Sequence, residues 1–214
     1  DRAGHRQAVV AGVYNEDLFE FPPSVRTYPV YYSHKDSRGE LPFEVLGMSD
    51  VMPYPSTLYN SLTDDMADML YSAFGKTIGR AIRELDPDVI LCHHLFLLTS
   101  MLPDMVKEFA PDLFHGKIYG ISHGSDIRQF QNCPFRRDSI ISGIRKLDGI
   151  FALHEEQKKQ ISELYGIADN KIKVIGTGYN SQIFNMDEDM EKPGADDLYK
   201  IIYAGKLSTA KGIF

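Results

Sequence analysis

Cysteine is scarce in this chain of 214 residues: it has two, Cys92 and Cys133. They form no CxxC pair, which removes the commonest thiol signature for a metal or redox site and suits a reducing compartment. Long apolar runs are missing too, and none reaches the ~18 residues a membrane-spanning helix needs. The first ten residues, DRAGHRQAVV, do not have the pattern of a secretory signal. Basic residues are outnumbered, 23 Lys and Arg against 30 Asp and Glu, for a net charge of −7. That balance argues against a nucleic-acid surface and against strong attraction to anionic lipid. A cytosolic location is the resulting expectation.

What is present is an alternation of apolar runs with amphipathic stretches. Residues 8–13 (AVVAGV) predict a buried strand, and 28–32 a second one. Residues 33–60 contain Pro42, Pro53 and Pro55 and are expected to be loop. From Thr63, an N-cap residue type, a helix is predicted to about Leu85, with an apolar stripe of Met66, Met69, Leu70, Phe74, Ile78 and Ile82. Asp86-Pro87-Asp88 breaks it. Strands follow at 89–92 (VILC), 117–122 (KIYGIS), 148–153 (DGIFAL) and 171–176 (KIKVIG). Helices are predicted between them near 97–109, 138–146 and 155–165, the last stopped by Gly166. Strands alternating with helices imply an α/β fold with a parallel sheet.

The acidic stretch 185–197, with its Pro-Gly, has the composition of a linker. Residues 199–214 (YKIIYAGKLSTAKGIF) then begin a new strand, a turn with Lys206 and Lys211, and the start of a helix. Such a turn exposes unpaired N–H groups and collects cations, a combination that suits a diphosphate. The expected organisation is therefore a first domain over 1–184, a linker over 185–197, and the opening of a second domain over 198–214.

Sites in open parallel sheets lie at the carboxyl ends of strands. Three places qualify: His93-His94, His123-Gly124-Ser125-Asp126, and the turn containing Gly178 and Asn180. His123 is expected to donate a hydrogen bond to a sugar hydroxyl or a phosphate, or else to be a structural histidine in a turn. Ser125 or Asp126 is a candidate cap for a following helix. His93 and His94 are neighbours in a strand and should point to opposite faces, one towards the cleft and one into the core. That spacing is poor for tetrahedral zinc, so no metal is expected. Asp86 and Asp88 fit a helix stop rather than a metal pair, and 187–189 fit a solvated linker. Arg136 and Arg137 are either contacts for an anion or helix-surface residues.

In their order and spacing, several segments resemble the glycosyltransferase group 1 family, retaining enzymes that use nucleotide-sugars and have the two-domain GT-B fold. The segments are Gly4-His5 before AVVAGV, DPDVILCHH, ISHGSD, the passage HEEQKKQISELYGIADNKIKVIGTGYNSQIF, and YAGKLSTAKG. They cover most of 1–14 and 86–214. The resemblance implies a Rossmann-like sheet with helices on both faces, the amino-terminal half of that fold, lacking at one end a first strand, glycine-rich loop and helix. At the other end it implies that a paired-glutamate motif for the donor lies beyond Phe214, so that these residues alone are inactive. It assigns His123 to the donor sugar and the reacting centre, and Lys206 and Lys211 to the donor diphosphate. His93 falls on the acceptor side, with His94, Gly124, Ser125, Asp126, Gly178 and Asn180 in the cleft.

The implied reaction moves a sugar from a nucleoside-diphosphate-sugar to an acceptor hydroxyl, in the biosynthesis of polysaccharide, lipid-linked glycan or glycoconjugate. The implied partners are that donor and a glycan or lipid-linked acceptor, with no metal cofactor and no nucleic acid. Weak peripheral membrane association through segments outside this sequence is a further expectation. Two alternatives are a sugar-nucleotide epimerase on the same scaffold and a non-catalytic glycan-binding protein.

Overall fold

A computed structural model of the chain describes residues 4–14, 21–35, 37–49 and 52–184. The chain divides into two compact units, Asp1–Thr177 and Gly178–Phe214. Lys206, Lys211 and the segments 185–197 and 198–214 lie outside the described residues.

The first unit is α/β, with parallel strand pairing in each of its sheets. Strand β1 (Gln7–Val13) pairs with β2 (Val25–Tyr31). The connection that follows is not all loop: it contains a two-residue pair, β3 (Leu46–Gly47) and β4 (Thr57–Leu58), and a 3₁₀ turn at Tyr59–Ser61. Helix α1 (Asp64–Leu85) then packs on β1 and β2. Beyond it, β5 (Val89–His93), β6 (Lys117–Ile121), β7 (Gly149–Ala152) and β8 (Ile172–Val174) form a four-stranded sheet in that order. The helices between them are α2 (Leu97–Phe109), α3 (Ser125–Asn132), α4 (Arg137–Arg145) and α5 (Glu155–Tyr165). The fold is thus Rossmann-like, as the alternation of strands and helices predicts.

Local chemistry sets the helix ends. The Thr63 hydroxyl accepts from the Met66 amide, Asp64 and Asp65 lie in the first turn of α1, and Asp86 ends it in the left-handed conformation. Met69, expected in the apolar stripe, is 42% exposed, because the helical turn puts it on the side of α1 away from the face that Leu70, Phe74, Ile78 and Ile82 bury. At α5, the His154 ring accepts from the Gln157 amide while the Gln157 side chain accepts from the Leu153 amide, a reciprocal cap of the capping-box kind. Gly166 closes that helix with φ +61°, and the Ile167 amide returns to the Ser162 carbonyl.

The core is built from side chains such as Leu95, Leu97, Ile140, Ile144, Ile150, Ile161 and Tyr165, all fully buried. Among the described residues, β1 and β5 share no ladder hydrogen bond. Their facing edges bound a cavity of about 430 Å³, with Val10, Ala11 and Gly12 on one side and Leu91, Cys92 and His93 on the other. The alternation along β5 leaves Val89, Leu91 and His93 on its exposed face, where Val89 and Leu91 are 48% and 52% accessible. No helix among the described residues is long and apolar enough to cross a membrane.

Helices α2 and α4 approach closely at Gly143, where a Cβ would run into the Ser100 carbonyl. Alanine is favoured over glycine by about 1 kcal/mol in an isolated helix, yet overpacking costs about 1–3 kcal/mol. Gly143→Ala is therefore expected to lower stability in urea unfolding. A more stable variant would show that the two helices are not in backbone contact.

Candidate functional site

The loops leaving β5 and β6 lie side by side because His93 is in register with Ile121. Immediately after β5 the chain turns through His94, which has φ +69°, a conformation uncommon for a residue with a side chain. Its amide donates to the Ile121 carbonyl (2.8 Å), and its carbonyl accepts from the Phe96 amide (2.8 Å) and from the Thr99 hydroxyl. This local fold changes the geometry expected for the histidine pair. Strand alternation would send His93 and His94 to opposite faces, but His94 has already left the strand. Both rings contact His123, with centroids 5.0 Å away for His93 and 4.7 Å for His94.

The His93 Nδ1 is 2.8 Å from the His123 Nε2, and the two ring planes are inclined by only 25°. Both residues are exposed, whereas His94 is half-buried. The His94 Nδ1 is buried and has no hydrogen-bond partner among the described residues. Burial lowers the pKa of His93, and the neighbouring His123 lowers it further. Burial likewise lowers that of His94, against the opposing pull of Asp126 and with help from His123 and His93.

Asp126 is where the structure corrects the sequence most. It was expected to line the cleft or cap a helix, but it is 0% exposed. Its Oδ2 accepts from the Leu95 amide (2.7 Å), and its Oδ1 accepts from the Ser122 hydroxyl and the His123 amide (both 3.1 Å). One carboxylate thus fastens the loop after β5 to the loop after β6, from beneath both. It stands inside the first turn of α3, a helix the sequence reading did not place, whose N-cap is Gly124 at φ +82°. Neither Ser125 nor Asp126 caps that helix. A Cβ at Gly124 would find room, so the backbone angle is what calls for glycine there. Tyr165, from the end of α5, donates its hydroxyl to the Leu95 carbonyl and completes the anchoring.

The other candidates separate cleanly. Arg136 is bound to Asp64 (2.7 Å) and Asp68 (2.9 Å) on α1, which ties α4 to the start of that helix. Arg137 donates to the Phe130 and Gln131 carbonyls and lies over the Phe130 ring. Both arginines therefore serve the fold. Cys92 and Cys133 are free thiols, and burial pushes the Cys92 pKa up, which is the wrong direction for a nucleophile. Among the described residues no group of three His, Cys, Asp or Glu side chains is arranged to hold a metal ion. Gly178 and Asn180 belong to the second unit. There Gly178 has φ +66°, and the Asn180 side chain accepts from the Gln182 amide in a side-chain-closed turn.

Tyr165 and Thr99 are site-supporting residues that the sequence alone did not single out. Each acts on a backbone carbonyl far away or around a turn, and no local pattern marks such a contact.

Two outcomes follow from this geometry. Asp126→Asn puts an amide hydrogen against donors and leaves at least one buried N–H unpaired, at a cost of about 1–3 kcal/mol, measurable by urea unfolding at neutral pH. The lowered pKa values of His93 and His94 mean that the folded protein binds fewer protons than the unfolded chain below the ordinary histidine value of about 6.5. Their contribution to stability is thus complete above that pH and is lost as pH falls from it towards the folded values. Replacing both histidines with glutamine should flatten the stability profile between pH 6.5 and the carboxylate range, read by thermal unfolding.

No protein-family model matches the chain, and no curated protein matches it either.

Proposed function

We propose that the first unit is the acceptor-side domain of a retaining glycosyltransferase that uses a nucleoside-diphosphate-sugar. The observation that carries this reading is the convergence of His93, His94 and His123 on adjacent strand ends of a parallel sheet, with Asp126 fixing the loops from below. Ligands of open α/β sheets bind at that edge. A neutral imidazole offers both a hydrogen-bond donor and an acceptor to sugar hydroxyls without adding a fixed charge, and burial lowers the pKa of His93 and His94 in that direction. The order of segments along the chain, from Gly4-His5 to YAGKLSTAKG, supports the same class.

In this reading His123 contacts the donor sugar near the reacting carbon, and His93 and His94 define the acceptor side. Lys206 and Lys211 neutralise the departing diphosphate, whose charge grows as its bond to the sugar breaks. Lysine supplies a point charge there rather than the bidentate fork of arginine. The location in this reading is the cytosol, the acceptor a glycan or lipid-linked glycan, and no metal is needed.

The test uses the intact protein with a panel of nucleoside-diphosphate-sugars and candidate acceptors, scored for sugar transfer with retained anomeric configuration. His123→Ala should lower turnover roughly 10²-fold or more with little change in melting temperature. Lys206→Ala and Lys211→Ala should mainly weaken use of the donor. Wild-type turnover in His123→Ala would remove that residue from the reaction. Isomerisation of the nucleotide-sugar without any acceptor would make the protein an epimerase instead.

A further inference from the structure

The His93 Nδ1 and the His123 Nε2, 2.8 Å apart, must have one hydrogen between them. Two assignments satisfy that distance. If His93 donates, both neutral rings carry their hydrogen on Nδ1. If His123 donates, both carry it on Nε2, because His93 then accepts at Nδ1 and keeps its own hydrogen on the far nitrogen. The Nε2–H form is the intrinsically preferred tautomer of a neutral histidine side chain. The second assignment meets that preference in both residues, and the first goes against it in both.

We infer that His93 is a positioning residue for His123: by accepting the Nε2 hydrogen it turns the His123 Nδ1 into an open acceptor. The pair then presents a lone pair at His123 Nδ1 and an N–H at His93 Nε2, both on exposed residues at the strand ends. Hydroxyl groups donate and accept, so they satisfy both atoms. A phosphate oxygen only accepts, and at Nδ1 it meets a lone pair. The group held at His123 Nδ1 is therefore a neutral alcohol, to which His123 is an acceptor rather than the donor expected from the sequence. Three other titratable groups bear on the pair. His94 lies 4.7 Å from the His123 ring, and Asp126 accepts from the His123 amide. Cys92, the residue before His93, is bonded to Thr99. None of these is bonded to either outward nitrogen, so the tautomer is set by the pair itself. The lowered pKa of His93 agrees with a neutral acceptor there. An orienting partner that fixes the tautomer of a working histidine is the logic of a catalytic triad, with a neutral ring in place of the carboxylate.

The inference rests on the glycosyltransferase reading only for which molecule carries the hydroxyl. Long-range ¹⁵N–¹H correlation spectra of the full chain, at a pH where both rings are neutral, test it without any activity. Both His93 and His123 should show Nε2–H. His93→Ala should move His123 towards the mixed tautomer ratio of a free imidazole. His93→Asn, whose amide oxygen stands where Nδ1 stood, should restore it. An Nδ1–H signal at His123 in the wild-type chain, or a His123 tautomer unaffected by His93→Ala, would overturn the inference. In the intact, active protein His93→Ala should lower kcat roughly 10- to 100-fold, the scale of outer partners that orient a histidine, and His93→Asn should recover most of it. Loss without that recovery would reduce His93 to a packing role. Absence of any sugar transfer would count against the functional reading alone, since the spectra decide the tautomer.

Discussion

A buried carboxylate holds the strand-end loops in one arrangement, and the rest of the site depends on it. Asp126 receives hydrogen bonds from two backbone amides and one hydroxyl belonging to two different loops. Burying such a group is costly unless its lone pairs are satisfied, so the loops have little freedom to move apart while the chain is folded. The consequence appears a layer above, where His94 is held in a left-handed turn and both neighbouring histidines face His123. Tyr165 and Thr99 secure the same backbone from other sides. The chemistry at the surface is therefore set by polar contacts in the interior.

This division of labour explains how rigid support and an adaptable surface coexist. The supporting atoms are on helix starts and helix ends, where backbone groups need partners in any case. The presenting atoms are imidazole nitrogens, whose donor or acceptor role depends on a single hydrogen. Shifting that hydrogen changes what the site recognises without moving the fold. Burial lowers the pKa of His93 and His94, which favours their uncharged forms. An uncharged set of donors and acceptors matches a polyhydroxylated ligand better than a fixed cation does.

The fold was largely legible in the sequence, for local reasons. Thr63, Asp86-Pro87 and Gly166 punctuate helices by their own backbone chemistry, and the apolar runs of β5, β6 and β7 are long enough to read as strands. The site was legible only in outline. Strand ends pointed to His93, His94 and His123, but period-two alternation gave the wrong facing for His94, because nothing nearby announces a positive φ at a histidine. Asp126 looked like a surface cap since its three donors come from residues 95, 122 and 123, two of them just before its own helix and one in the loop after another strand. Helix α3 was missed because SDIRQFQN is short and polar. The separation of β1 from β5 could not be read from composition, which records strands and not their pairing.

The measurement that bears most directly on this account is the proximity of the three imidazoles in solution. In the full chain at neutral pH, a nitrogen–nitrogen coupling across the His93–His123 hydrogen bond and ring-proton contacts between His94 and His123 are expected together. A His94 ring on the opposite face of the sheet, without contact to His123, would contradict it, because the left-handed turn and the carboxylate beneath it would then not be forming a site at all.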